Sequence, residues 1–359
     1  LEANGAVRLS DYSTSGSTTT YKAGVNWKPI RDLRLRGSWA QGFRAPAIGE
    51  LFGSLSRFDS AIDDPCSINS AQARRFNNDA TVRANCAAQG APTGSTTAPT
   101  DQLSVITGGN SALKPETSRS LVFGGVYSPS FIPRFSIEAN WYQIKLKGAI
   151  QAVSPATTLD RCVYQADALA CSNVRRSGSG QVVAIQGTLQ NIAGIQTRGI
   201  DLNLAYRTPR TSVGSFAFTW NNNFLTRYNV ITPTATGSTT EHRAGIELGS
   251  PSQAYPKWKS IGVIDWNGTA IGASLTGRYV SRVKEVQNGF SPLAAKLYTD
   301  VQLRFQSPDF ARNFGFALGV NNLLNTSAPG CFSCDINNFD PTTYDTPGRY
   351  FYARATIKM

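Results

Sequence analysis

Charge is scarce in this chain: Asp, Glu, Lys and Arg together make up 16% of its 359 residues. There is one Met, and one His at position 242. With 32 Gly, 13 Tyr and 18 Phe, a chain so poor in charge reads neither as disordered nor as a helical bundle. No apolar run approaches the roughly 18 residues of a membrane-spanning helix. That one histidine falls in a loop stretch, Thr239 to Gly245, where no serine or cysteine triad is expected. The adjacent carboxylates Asp63 and Asp64 fall in a loop, where hydrogen-bonding a turn or capping a short helix is the simpler role. No enzyme activity and no cofactor are expected. A charged-then-apolar leader is also missing before the first strand, so the sequence from Leu1 reads as a fragment or a processed product.

What is present points elsewhere. Mean hydropathy is -0.23, a soluble-looking value. A membrane barrel gives the same average, because each strand alternates lipid-facing and interior-facing residues. The formal net charge of +12 admits nucleic acid, anionic lipid or an anionic ligand as partner. The basic residues are spread out and no nucleic-acid module is visible, so no nucleic-acid partner is expected.

The six cysteines form three close pairs: Cys66 with Cys86, Cys162 with Cys171, and Cys331 with Cys334. Even, local pairing reads as disulfides in an oxidising compartment. The Cys331 to Cys334 stretch also invites a metal reading, but zinc wants four ligands and they are not supplied.

Period-two alternation marks strands near 2–12, 19–29, 33–44, 116–128, 134–148, 194–207, 214–228, 255–266, 270–284, 297–306, 314–324 and 348–358. Ile200, Leu202, Leu204 and Tyr206 share one face, for example, and Asp201 and Asn203 the other. The opposite faces hold Gly, Ser, Asn and Arg, as a wet interior requires. Trp258 and Trp266 share the apolar face eight residues apart. At a tilt near 45° that is about 19 Å along the membrane normal, fitting two aromatic girdles. The joins alternate between short turns and the longer segments 45–115, 149–193, 229–254, 285–296 and 325–347. Short internal turns against long external loops are the membrane-barrel pattern, and all six cysteines fall in the long series. The expected fold is all-β: an antiparallel transmembrane β-barrel segment of about 12 strands occupying residues 1–359. In the segment 71–87 a short helix is expected, tied down by Cys66 and Cys86.

Several segments carry a resemblance in their order along the chain. They are Leu33 to Phe52 with its GFRAP, Gly108 to Ser120 with its LKPE, Asn191 to Tyr206 with its GID, Gly319 to Asn325, and Thr346 to Met359. Together they resemble TonB-dependent outer-membrane receptors, and the loop from Asp64 to Cys86 resembles a subgroup with long disulfide-bearing external loops. The resemblance implies the C-terminal part of the 22-stranded barrel of outer-membrane transporters, whose plug is missing here. It implies energised uptake of a nutrient such as a ferric chelate, a cobalamin-like cofactor or an oligosaccharide. Implied partners are the TonB complex, through a TonB box and plug outside this chain, and outer-membrane lipid and lipopolysaccharide. A passive porin-like channel and a surface-adhesion barrel are the alternatives. Met359 departs from the terminal aromatic usual in such barrels.

Interior-facing cations include Arg34, Arg36, Arg44, Lys257, Lys259, Arg278, Arg282, Arg304 and Arg354. They form either an electropositive path for an anionic ligand or pairs with carboxylates of neighbouring strands or a plug, and pairing is the simpler expectation. Arg282 and Lys284 at the outer rim could meet lipopolysaccharide. Candidate ligand contacts are Arg44, Phe52, Arg278, Arg282, Phe290, Phe332 and Tyr344, because loops and rims carry recognition, with packing around the disulfides as an equally simple role for the loop aromatics.

Overall fold

The computed structural model describes residues 1–68, 73–95, 102–191, 194–234, 237–249, 252–286, 292–306, 314–334 and 337–357. Twelve long strands form one antiparallel sheet in chain order: β1 (Glu2–Tyr12), β2 (Gly16–Ile30), β3 (Leu33–Arg44), β4 (Glu116–Tyr127), β5 (Phe135–Lys147), β6 (Gly194–Arg207), β7 (Ser215–Thr234), β8 (Trp258–Asn267), β9 (Ile271–Val280), β10 (Lys296–Gln306), β11 (Phe314–Asn321) and β12 (Tyr350–Ile357). Each pairs with its sequence neighbours, as a meander of hairpins dictates. Among the described residues β1 and β12 are not paired with each other, so the sheet has two edges.

All twelve expected strands are present, with shifted ends. β7 runs on to Thr234 and folds back against Gly237–His242, lengthening the sheet where a loop was expected. β8 starts at Trp258 and β9 stops at Val280, because the flanking segments enter the loops.

Side-chain parity sorts as the alternation requires. Val7, Trp27, Phe123, Ile264, Leu303, Leu318 and Ile357 stand on one face, and all are exposed, Leu318 by 52% and Ile357 by 69%. Among the described residues no second sheet covers them. A soluble β-sandwich would bury this row, and an uncovered apolar surface of such extent marks contact with hydrocarbon. Aromatic rings gather towards the two ends of the face. Phe135, Tyr206, Phe218 and Phe216 lie in sequence near the short turns, with centroids 6.5, 6.2 and 6.2 Å apart. Phe224, Trp258 and Tyr279 do the same near the long loops, at 5.8 and 4.6 Å. The indoles of Trp258 and Trp220 donate to Asn222 Oδ1 (3.0 Å) and Ser260 Oγ (2.8 Å), so these polar groups on the apolar face are satisfied.

The opposite face is polar and locally crowded. A Cβ at Gly319 would stand 2.2 Å from the Tyr352 ring, and one at Gly124 2.1 Å from Asn140 Oδ1. Glycine there is what lets these large side chains lie across the neighbouring strand.

The compact core lies in the long loops, not in the sheet. Every cluster of buried apolar residues draws on loop segments, and the three disulfides Cys66–Cys86, Cys162–Cys171 and Cys331–Cys334 all form there as expected. Because strands alternate in direction, these loops share one end of the sheet, and the short joins share the other.

Candidate functional site

Two structured caps stand at the long-loop end. The first combines the segments 45–115 and 149–193. Strands Ser56–Ala61, Gln102–Thr107, Val182–Gln186 and Val174–Arg176 make a small mixed sheet. Helices accompany it, and three of them begin where a side chain holds the free amides. Asp79 accepts from Thr81 and Val82 ahead of Ala80–Ala88, Ser154 from Thr157 ahead of Pro155–Gln165, and Asp167 from Leu169 and Ala170 ahead of Ala168–Ser172. The helix expected over 71–87 is two short ones, Ala73–Asn78 and Ala80–Ala88, the latter held by Cys86.

At the centre of this cap Asp64 meets Arg176 in a bidentate pair at 2.6 and 2.8 Å, with side chains 1% and 2% exposed. Burial works to raise the Asp64 carboxyl. The Arg176 guanidinium, the Ser95 hydroxyl and the Cys66 amide outweigh it and hold the group below the usual carboxylate range. Asp167 is likewise held low against its burial, by Arg161 and two backbone amides.

The second cap gathers segments following β7, β9 and β11. Ile246–Glu247 and Lys284–Glu285 form a short parallel ladder beside the Cys331–Cys334 loop. Val283, Leu293, Ala254 and Tyr344 pack against that disulfide. Asp340 accepts from the Ala254 amide at 3.0 Å and the Thr342 hydroxyl at 2.6 Å. Burial first, and then the charge of Asp340, pushes the Glu247 carboxyl up to about 7.

Between the caps and the turns, the polar face carries ion pairs. Arg36 meets Glu138, Arg44 meets Glu116 (2.6 Å) and Glu50 (2.8 Å), Arg278 meets Asp300 (2.9 Å) and Asp345 (2.5 Å), and Arg304 meets Asp265 (2.5 Å). Pairing therefore accounts for four of the nine interior cations, and every partner comes from this chain. Arg34, Lys257, Lys259, Arg282 and Arg354 form no ion pair among the described residues.

The expected ligand contacts do not come together as one cluster. Arg44 clamps the start of the first cap, and Arg278 ties β9 to β10 and to the second cap. Phe52 and Phe332 are open to solvent at 64% and 70%. Tyr344 takes the packing alternative: it is 3% exposed and sits in the core of the second cap, because its neighbours fold it onto the disulfide. Phe290 lies outside the described residues. Sequence reasoning gave Asp64 only a turn or cap role. It does receive the Cys66 amide, but its main partner stands 112 residues away, beyond any local signal. The buried acids Glu247, Glu285 and Asp340 were also missed, since nothing near them in sequence marks them as buried. His242 contacts Asn229 Oδ1 at 2.9 Å in the hairpin extending β7, away from any nucleophile arrangement.

An antiparallel meander with one face open to hydrocarbon, a polar opposite face and capped loops at a single end defines a membrane β-barrel protein of the outer-membrane kind. The sequence model of the family described as "TonB dependent receptor-like, beta-barrel" matches residues 1–323. The chain belongs to that family, whose members are outer-membrane receptors and transporters. Among solved structures, a variant of the ferric enterobactin receptor of Pseudomonas aeruginosa in complex with enterobactin aligns over 99% of this chain and 43% of its own, at TM-score 0.61 and 15% identity. The siderophore receptor PirA of Acinetobacter baumannii aligns over 98% and 42%, at TM-score 0.57 and 16% identity. The chain thus spans about two fifths of the length of these structures, and the likeness is one of fold.

Proposed function

We propose that this chain is the C-terminal barrel portion of a receptor that takes up an anionic nutrient, such as a ferric chelate, across the outer membrane with energy delivered through TonB. The observation that carries the reading is the division of labour in the fold. One face is left to lipid, the other is polar, and buried, disulfide-held loops stand at one end only. Ordered loops at a barrel mouth suit recognition, because a fixed surface spends less free energy on ordering when it binds. In this reading the caps face outward, where oxidation permits disulfides. Arg282 and Lys284 then lie at the outer rim, near lipopolysaccharide phosphates. The unpaired interior cations, with a net charge of +12, favour an anionic cargo.

The two edges at β1 and β12 would leave unpaired backbone groups in hydrocarbon, at a cost of several kcal/mol each. Further strands and a plug therefore complete the barrel in this reading, and the TonB contact belongs to that plug. The test is growth of a deletion strain on a panel of ferric chelates, cobalamin-like cofactors and oligosaccharides, with and without a functional TonB. Loss of growth on one nutrient, reproduced by removing TonB, is the expected result. Full-length protein that conducts ions steadily in planar bilayers, with TonB-independent growth, would establish the passive-channel alternative.

A further inference from the structure

The charges of four adjacent strands, β4 to β7, are sorted by face. Their acids are Glu116, Glu138 and Asp201, and all three stand on the polar face, where they meet Arg44, Arg36 and Asn223. Their cations are Arg119, Lys145, Lys147, Arg198, Arg207 and Arg227. Arg207 shares the polar parity of Asp201 and lies at the short-turn end. The other five stand on the lipid-facing side, at the long-loop end. Register fixes this placement. Ile200 faces Trp141 on the apolar side, and one step nearer the loops Arg198 faces Gln143. Arg198 also faces Arg227, and Arg119 faces Lys145.

Like charges directly opposite one another on neighbouring strands are destabilising. Two such pairs stand side by side here, and none of the five cations forms an ion pair among the described residues. Arg198 is half-buried and the other four are exposed. Gln143 pairs with Arg198 and Gln196 with Lys145, so amide donors are interleaved with the cations. Below them the same face turns apolar, with Leu121, Phe123, Trp141 and Ile200. Lys145 is four residues past Trp141, which at a tilt near 45° is about 9 Å nearer the loops along the membrane normal. The cations therefore stand just beyond the hydrocarbon. On β8, β9 and β10 the outward residues at this end are Trp258, Tyr279 and Leu297, so the basic patch is local to four strands.

We propose that this patch binds the phosphates of lipid A, the phosphorylated disaccharide that anchors lipopolysaccharide, with the acyl chains lying on the apolar face below. The site rests on the reading that the caps face outward, and adds to it a lipid site apart from Arg282 and Lys284. Guanidinium groups take phosphate bidentately and lysines add point charges, so the patch is complementary to phosphate. Its cations fall in two groups, Arg119, Lys145 and Lys147 on β4 and β5, and Arg198 with Arg227 on β6 and β7. The four strands span about 14 Å, the scale of a disaccharide with a phosphate at each end. A phospholipid with a single phosphate can neutralise only one of the two groups.

The test is native mass spectrometry of the full-length receptor in detergent, titrated with bisphosphorylated lipid A, with the same lipid stripped of phosphate, and with phosphatidylglycerol. Expected is saturable binding of the first, and binding about tenfold weaker or worse for the other two. The double variants Arg119→Gln with Lys145→Gln, and Arg198→Gln with Arg227→Gln, should each bind lipid A about tenfold more weakly. Arg207→Gln, on the other face and at the other end, should bind as the wild type does. Each double variant removes a repelling pair, so the gel shift of the folded barrel should persist to the same temperature or higher. If a variant fails to fold, the comparison of three lipids on the wild type decides. Wild-type affinity in both double variants overturns the site, and equal binding of phosphatidylglycerol and lipid A overturns the choice of lipid A. Orientation is read separately, by labelling Lys114 and Lys284 on intact cells with an impermeant amine reagent. Labelled caps without lipid A binding sink the site alone, whereas unlabelled caps sink the outward reading beneath it.

Discussion

The two loop caps solve the burial of acidic side chains in opposite ways. In the first, Asp64 and Asp167 each face an arginine of the same cap, and two disulfides of sequence separation 20 and 9 close the surrounding loops. In the second, Glu247, Glu285 and Asp340 are buried and none of them forms an ion pair among the described residues, around one disulfide of separation 3. A cap that carries its own counter-charges is complete as folded. One that lacks them depends on a proton from solution. The difference teaches that burial alone does not tell a structural acid from a responsive one, and the identity of the partner does.

The largest way to break this comparison is Arg176→Met. It leaves Asp64 buried and uncompensated, and the first cap should lose about 3–5 kcal/mol of local stability. Hydrogen exchange of the segments 62–68 and 174–186 reads the loss directly. The matching change in the second cap, Glu247→Gln, should cost nothing or stabilise, because it removes an unpaired charge. If Arg176→Met proves no worse than a surface substitution, the contrast between the caps is lost.

The disulfides give the next effect. Replacing Cys66 and Cys86 by Ser should cost about 3 kcal/mol, and replacing Cys331 and Cys334 about 2, since the longer loop loses more closure entropy. Differential unfolding followed by cysteine-independent fluorescence or exchange would rank them. An inverted ranking would mean that packing around Cys331–Cys334 outweighs loop length.

Acid response sharpens the comparison by sign. Asp64 is held below its ordinary value of 3.8, so its contribution is present above that pH and is lost as pH falls through the lower folded value. Glu247 is raised from 4.5 to about 7, so its contribution is fully present below 4.5 and is lost as pH rises through about 7. Asp340, held low by the Thr342 and Thr343 hydroxyls despite its burial, stays ionised across that window. The second cap should therefore loosen from pH 5 to 8 while the first is unchanged, as loop-resolved exchange at several pH values would show. A first cap that loosened in the same window would remove the distinction.

How far the sequence anticipates this differs between sheet and caps. The twelve strands are legible because alternation is local: each residue's face follows from its parity, and register follows from the hairpins. Cysteine pairing is legible for the same reason, since partners lie close in the chain. Ion pairs in the caps are not. Asp64 and Arg176 are 112 residues apart, and the segments around them read only as polar loop. Loop aromatics show the same limit. Phe52, Phe332 and Tyr344 look alike in sequence, yet two are exposed and Tyr344 is buried against a disulfide, a difference set by packing between distant segments. The extension of β7 to Thr234 was hidden because Val230 and Ile231 are adjacent and Pro233 follows, so no apolar alternation marks it.

The smallest expected effect lies within the first cap itself. Arg57 and Asp59 approach to 3.0 Å, little farther than the 2.6 Å between Arg176 and Asp64. By distance the two pairs are nearly equivalent. By exposure they are not, at 67% and 41% for the first pair and 2% and 1% for the second. Water already solvates both members of the exposed pair, so Arg57→Ala should cost less than about 1 kcal/mol, and raising the salt concentration should erase even that. The buried pair is shielded from salt and should keep its effect at any ionic strength. Measuring both variants by exchange at low and high salt isolates burial as the variable. Equal losses in the two would show that proximity, not desolvation, sets the strength of charge pairing in this cap.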